Sequence, residues 1–470
     1  MGTTASPMTQ PAGRGHRRRR HVLEAAFGKT WVLVKPMNTV DRIHFALSAL
    51  FVATLPWFLL WQVFFGTKTV FKPYRIVGLV LTAFVLGDLL LRGRRLKVGR
   101  DDILFFVIFL WGFVMGTLFS LGEGDSLPAF VKHTTLVASN FLFVFALKNG
   151  NYDRRHVAVF LQVLTVSLLA SIAVGLIARG SIGTRFAAMY KNPVSVGFIV
   201  SVCSLYRVSE LVSTNQRSTL NLVFPGLFLG ILAFSLVSTG ARGPALGTLA
   251  ALIWMGITIV RHGAVVRKLL RLGARLSVMV LAAALVFSAV LELAGSDREY
   301  LTSYENGVDR FSGQDRRGSS DLTSGRYDIW RAAMLLGTET GFIGVGVGRY
   351  HYYHKEYIQK LDDIRSHVDR SSLGVHSTII DLLVNYGLVG TLAFIAILAH
   401  LHRSWRRRVK QDGFDVMLLC LAGLMILTQV SSLTVSTFQS PGYALMYGLF
   451  AIGVRPLPQN RRSKGLWVYS

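Results

Sequence analysis

The apolar residues of this chain arrive in nearly unbroken blocks of about twenty, the length at which an α-helix crosses the hydrocarbon core of a bilayer. Soluble folds show apolar positions that alternate or recur every three to four residues, so this spacing excludes most of them. With 51% of residues hydrophobic and 16% charged, composition points the same way. A chain crossing lipid must satisfy its backbone amides within each segment, and blocks this long predict an all-α polytopic membrane protein.

About twelve spans are predicted, near 45–65, 76–91, 103–121, 129–147, 157–178, 194–212, 220–238, 244–260, 276–295, 378–399, 416–434 and 441–455. A net charge of +26 is a common mark of nucleic-acid binding. Here most Lys and Arg lie in short connectors between apolar blocks, such as 92–100, 261–275 and 400–410, so membrane lipid is the expected partner and nucleic acid is not. The positive-inside rule puts these connectors in the cytoplasm and the less basic ones, including 179–193 and 296–375, on the periplasmic side.

The organisation that follows is a disordered basic cytoplasmic tail (1–25), nine spans (26–295), a helical periplasmic loop subdomain between spans 9 and 10 (296–375), three further spans (376–456) and a cytoplasmic tail (457–470). No cleavable signal peptide is expected, because the first long apolar stretch exceeds the length of such a segment. Cys203 and Cys420 each sit inside an apolar block and read as small core residues, not a disulfide.

The long loop holds Tyr327, Ile329, Trp330 and Met334 at a spacing that predicts a helix with an apolar face, capped by Ser324. A glycine-rich turn (341–350) and a second, aromatic helix at the membrane interface follow. Next comes GVHSTIIDLLVNYGLVGTL (374–392), in which His376 and Ser377 stand at the mouth of an apolar helix that carries Gly387, Gly390 and Thr391, where a neighbouring helix can approach closely. Asp381, one to two turns further on, could orient His376 or pair with an arginine.

The spacing of His376 and Ser377, then nine residues, Gly387, two residues, then Gly390 and Thr391, resembles the signature of the O-antigen ligase family, membrane glycosyltransferases with a Wzy-type C-terminal region. Arg242 in GARGPALG, Arg326 in SGRYDIW and Arg185 in TRFAAMYKNP resemble three further elements of that family. The resemblance implies a GT-C-like fold and transfer of a glycan from undecaprenyl pyrophosphate to the lipid A core oligosaccharide, at the periplasmic face of the inner membrane. It casts His376 as general base, with Arg185, Arg242, Arg326, Lys191, Ser377 and Asp381 as substrate-binding residues. Lys132 and His133 are weaker candidates for donor contacts.

The chemistry of these residues agrees with that assignment. Guanidinium groups bind phosphate bidentately and stay charged at physiological pH. Arg242 sits between glycines, before a helix start that favours anions. The cluster Asp362, Asp363, His367 and Asp369 is interrupted by Arg365 and Arg370 and reads as a solvated face, so no metal and no other cofactor is expected. A protein O-oligosaccharyltransferase and an O-antigen polymerase share the motif class, and an anion or lipid transporter would use the same arginines only to bind.

The topology has its own test. In intact spheroplasts, an impermeant maleimide should label a cysteine placed at Ser320 and not one placed at Arg267; the reverse pattern would overturn the orientation.

Overall fold

The computed structural model describes residues 38–57, 72–93, 96–120, 127–177, 181–182, 185–186, 193–213, 220–261, 273–274, 277, 281, 285, 326–361, 374–413, 415–434 and 440–456. Among them the chain forms helices α1 (Thr39–Thr54), α2 (Pro73–Arg92), α3 (Arg100–Ser120), α4 (Leu127–Lys148) and α5 (Arg154–Ile177). A two-residue antiparallel hairpin, β1 (Ser181–Ile182) and β2 (Arg185–Phe186), precedes α6 (Pro193–Ser213), α7 (Leu220–Ser238) and α8 (Arg242–Arg261). Then come α9 (Arg326–Glu339), α10 (Tyr350–Gln359), α11 (Thr378–Asn385), α12 (Gly387–Asp412), α13 (Val416–Ser432) and α14 (Pro441–Gly453).

Among the described residues, seven helices are long and apolar enough to cross a membrane: α2 to α6, α8 and α12. Gly226–Ser238 within α7 and Val416–Ser432 are shorter apolar helices. Leu79, Val80, Leu90 and Leu91 on α2, Leu246, Leu249 and Ile253 on α8, and Leu388, Leu392 and Ile395 on α12 all point outward. Apolar surface of that extent suits a hydrocarbon surrounding, since water-soluble monomers keep such patches small. The chain is a multi-pass membrane protein.

Several expectations need correction. The first apolar stretch begins its helix at Thr39, and 58–65 lie outside the described residues. Nearly all of the expected ninth span, 276–295, lies outside them too. The expected tenth span is two helices, broken at Tyr386 and Gly387. His376 precedes α11 in a loop, so it does not share a helix with Gly387, Gly390 and Thr391. The 400–410 connector is the continuation of α12, because nothing between Gly387 and Asp412 interrupts its helical hydrogen bonding.

The long-loop helix exists as α9, rotated from its expected face. Ile329, Ala332, Ala333 and Leu336 are buried, at the i, i+3, i+4, i+7 spacing of a helix stripe. Tyr327 and Met334 are exposed. The aromatic helix α10 turns Tyr350, Tyr353, Tyr357 and Ile358 into the same small core, with Val375 and Val384, and does not present that face to a membrane surface. Ser324 lies outside the described residues.

One end of the bundle is fastened by buried ion pairs. Lys148, ending α4, lies between Asp101 and Asp102 of α3, with Asp102 at 2.6 Å. Arg154, opening α5, pairs with Asp412 and Asp415 on either side of the α12–α13 turn. Charges this deeply buried are tolerable only when paired, so removing one partner is costly.

The opposite end is organised by residues 342–349. Their backbone pairs with α11, Val345 N–H donating to Val384 O at 2.9 Å and Gly346 N–H to Asn385 O at 2.8 Å. Leu388 N–H donates to Phe342 O at 2.9 Å, and Trp111 of α3 donates its indole N–H to Ile343 O at 3.0 Å. This hook seats on α3 at Gly112 and Gly116: a Cβ on Gly112 would strike the Tyr386 ring, one on Gly116 the Phe130 ring, and one on Gly346 the Gly116 backbone. The helix break has the same cause. Gly387 has φ +64°, and a Cβ there would collide with the Ile343 carbonyl.

Gly387→Ala should therefore lower stability by about 2 kcal/mol or more, since a left-handed non-glycine residue alone costs roughly 1 to 3 kcal/mol. Gly256→Ala, where a Cβ meets nothing within 4 Å, should be neutral or slightly stabilising. Thermal midpoints of the two purified variants, read by fluorescence-detected size exclusion, check this; equal midpoints would refute the role of the break.

Candidate active site

His376 lies in the short loop between Val375 and α11, half-buried, with φ +55°. A non-glycine residue held in the left-handed region costs free energy and persists only where its surroundings impose it. Here they do. The Trp330 indole of α9 donates to Val375 O at 3.0 Å, clasping the chain immediately before His376, and Ser377 turns into α11 as its N-cap.

Arg326 is the first residue of α9 and Arg242 the first of α8. Burial lowers the Arg326 pKa, and the Arg242 charge lowers it further, so the two guanidinium groups lie close enough to repel each other. The His376 imidazole is pushed down to about 4, by burial first, then by the Arg326 charge and by His354. The ring is therefore neutral at physiological pH, with the Arg326 charge beside it.

Further histidines crowd the same place. His351 of α10 stacks on His133 of α4, ring centroids 4.8 Å apart and planes 8° from parallel. The His351 pKa is lowered to about 4 by burial first, then by His133, His376, His354 and Lys132. Its ring lies against Gly374, two residues before His376, where a Cβ would be 3.1 Å from its Cε1.

Of the residues expected from the sequence, Arg242, Arg326 and His376 come together, with His133 and Lys132 at their edge. Ser377 and Asp381 are buried, at 4% and 5% exposure. The Asp381 carboxylate accepts from Asn385 Nδ2 at 2.7 Å, and Asn385 Oδ1 accepts from the Tyr350 N–H at 3.0 Å. This chain ties α11 to the start of α10, so the contact seen for Asp381 is with Asn385. The Arg185 backbone pairs with Ile182 in the hairpin. The Arg185 side chain, Lys191, Asp362, Asp363, His367 and Asp369 lie outside the described residues.

Sequence reading missed His351 and His354, which it treated as part of an interfacial aromatic helix. Two histidines three residues apart share a helix face, and that spacing was the available signal. It also missed Arg349, fully buried, whose guanidinium donates to Ser120 Oγ and the Tyr353 hydroxyl, each at 3.1 Å, near the carbonyl-rich end of α3. A separate cavity between α3, α4, α12 and α14, lined by Phe105, Asn140, Lys148 and Tyr447, lies toward the Lys148 end of the bundle, away from His376.

The fold and the candidate site define a multi-pass membrane protein with a neutral histidine at one end of its helix bundle and arginines opening two other elements nearby. Residues 227–395, which contain Arg242, Arg326, His351, His354 and His376, match the family model described as O-antigen ligase. That match makes this stretch similar to the O-antigen ligase family, a likeness that supports a ligase- or polymerase-type activity with a lipid-linked glycan donor. No curated protein matches it.

The depressed His376 pKa has a direct readout. Carbethoxylation by diethyl pyrocarbonate requires the neutral ring, so its rate at His376, followed by peptide mass spectrometry, should hold to about pH 5 and halve near pH 4. Arg326→Gln should move the midpoint upward, toward but short of about 6.5, because burial remains. A wild-type midpoint at 6.5 would contradict the geometry.

Proposed function

We propose that this protein is an O-antigen ligase, transferring a glycan from undecaprenyl pyrophosphate to the lipid A core oligosaccharide. The observation that carries the reading is the gathering of Arg242, Arg326 and a neutral His376 at one point. Two like charges held together raise the energy of the folded protein, and a pyrophosphate, with charge to spread over both, relieves that repulsion. In this reading the His376 end faces the periplasm, in a chain of about twelve spans with 296–375 as the periplasmic subdomain and 1–25 and 457–470 as cytoplasmic tails.

The chemistry is a displacement at the anomeric carbon. The acceptor hydroxyl oxygen forms the new glycosidic bond while the bond from that carbon to the pyrophosphate oxygen breaks. The electron pair leaves with the pyrophosphate, whose growing negative charge is stabilised by Arg326 and Arg242, cations already in place before the reaction. His376 takes the hydroxyl proton. Arg185, Lys191, Ser377 and Asp381 belong to this proposal as further donor-binding residues. Arg242 at the N-terminus of α8 supplies helix N–H groups on the same side as its guanidinium.

Purified protein with lipid-linked glycan and core acceptor tests the reading. His376→Ala should fold, bind donor and transfer at about 10⁻² to 10⁻⁴ of the wild-type rate, the loss typical of a missing general base. Arg242→Lys should weaken donor binding too, because an ammonium cannot make the bidentate contact. Transfer by folded His376→Ala above about a tenth of wild type would exclude the base role. In a deletion strain, unligated core with intact lipid-linked polymer identifies a ligase, whereas loss of the polymer identifies a polymerase.

A further inference from the structure

The carbonyl before His376 is the handle on that histidine's backbone. The Val375 carbonyl and the His376 N–H belong to one rigid peptide plane, and turning that plane about the bond from the His376 nitrogen to its Cα changes the φ of His376. Val375 is fully buried, so its carbonyl needs a donor from the protein. The Trp330 indole N–H supplies it at 3.0 Å. The φ of the plane so held is +55°, a left-handed value that a residue with a side chain keeps only under constraint. On the far side the chain is held as well: Ser377 is extended, with φ −148°, and its carbonyl accepts the Asp381 N–H at 2.8 Å.

The helix that supplies this donor also supplies a cation. Arg326 opens α9 and Trp330 follows four residues later, so the two side chains leave the same face of one helix. The rest of α9 is fixed. Ile329, Ala332, Ala333 and Leu336 are buried, and the Tyr350 hydroxyl of α10 donates to Ile329 O at 2.9 Å. A single seated turn therefore carries Arg326 at its start and the partner of the His376 backbone at its end. We propose that Trp330 is a positioning residue of the site: its indole N–H holds the Val375–His376 peptide in the orientation that gives His376 its left-handed φ, and so places the base at a set position relative to Arg326. The proposal rests on the glycan-transfer reading above.

Trp330 gives up no proton, and the bonds made and broken stay those of the displacement at the anomeric carbon. Its contribution is geometric. A general base works only within hydrogen-bond reach of the proton it takes, and a displacement of about 1 Å can cost on the order of 10²-fold in rate. The titratable and charged groups around the His376 ring are Arg326 of α9 and His351 and His354 of α10. Released from its left-handed φ, the ring would leave their neighbourhood and the burial that goes with it.

One atom separates this role from a structural one. Benzothienylalanine, which has sulfur where tryptophan has the indole N–H, removes the donor and keeps the shape. With it in place of Trp330 in purified full-length protein, kcat per folded molecule should fall by about 10- to 100-fold. Donor KM should stay within about twofold of wild type, since Arg242 and Arg326 are untouched. The carbethoxylation midpoint of His376 should rise from about 4, because a displaced ring escapes both the burial and the Arg326 charge that hold it down. At the same position 5-fluorotryptophan keeps the N–H and should restore the wild-type kcat and midpoint. A tryptophan that merely fastened α9 would lower thermal stability and leave kcat per folded molecule and the His376 midpoint unchanged.

A wild-type kcat per folded molecule, an unmoved carbethoxylation midpoint or a loss confined to donor KM in the benzothienylalanine protein overturns the proposal. So does a 5-fluorotryptophan protein as impaired as the benzothienylalanine one. Should the benzothienylalanine protein fail to fold, Trp330→Phe, which also lacks the donor, decides by the same kcat and midpoint readouts. Wild type runs alongside. A wild type that binds donor and transfers no glycan defeats the glycan-transfer reading and this proposal with it, whereas an active wild type beside an equally active benzothienylalanine protein defeats the proposal only.

Discussion

Everything at the His376 end of this molecule depends on one close approach, that of the 342–349 hook to the Gly112–Gly116 face of α3. Two glycines four residues apart present a bare strip of helix, and the strip receives the Tyr386 ring at one step and the Gly346 backbone at the next. At Gly346, φ is +101° and a Cβ would overlap Gly116, so the hook could not lie there with any other residue. Once seated, its amides complete the end of α11 and its carbonyls receive Leu388 and Trp111. The break between α11 and α12 is the other half of the same contact.

That arrangement turns a linear motif into a device. Gly387 and Gly390 stand away from His376 in the chain and take no part in its chemistry; they let the span break, and Thr391 ties off the new helix by donating to Gly387 O at 2.9 Å. The break fixes where α11 ends, Asn385 on α11 holds the first amide of α10, and α10 carries His351 and His354 to the site. Meanwhile α9 clasps Val375. The left-handed φ of His376 is the local cost of being held from both sides.

The two ends of the bundle treat charge in opposite ways. Lys148 and Arg154 are each matched by two carboxylates, an arrangement that locks α3, α4, α5 and the α12–α13 turn together. At the other end Arg242 pushes on Arg326, and burial first, then Arg326, holds the His376 imidazole neutral. Paired charge there builds a scaffold; gathered like charge here is, in the proposed function, the place for an anion.

The membrane class was legible because block length is local information, and His376, Arg242 and Arg326 stood out as candidates because spacing and residue type are local too. The helix break at Gly387 was not legible, because 378–399 is apolar throughout and only a backbone from elsewhere in the chain, at Ile343, makes a straight helix impossible there. For the same reason the buried stripe of α9 and the inward turn of α10 depended on partners distant in sequence. His351 and His354 read as decoration on an aromatic helix until Tyr350, Ile329 and Gly374 surrounded them. The sequence by itself determined that this chain lives in a membrane and offered His376, Arg242 and Arg326 as its candidate site residues. Only the tertiary structure decided that these residues meet, because glycine contacts between α3, the hook and α12, long-range and without side chains to announce them, set the distances at the site.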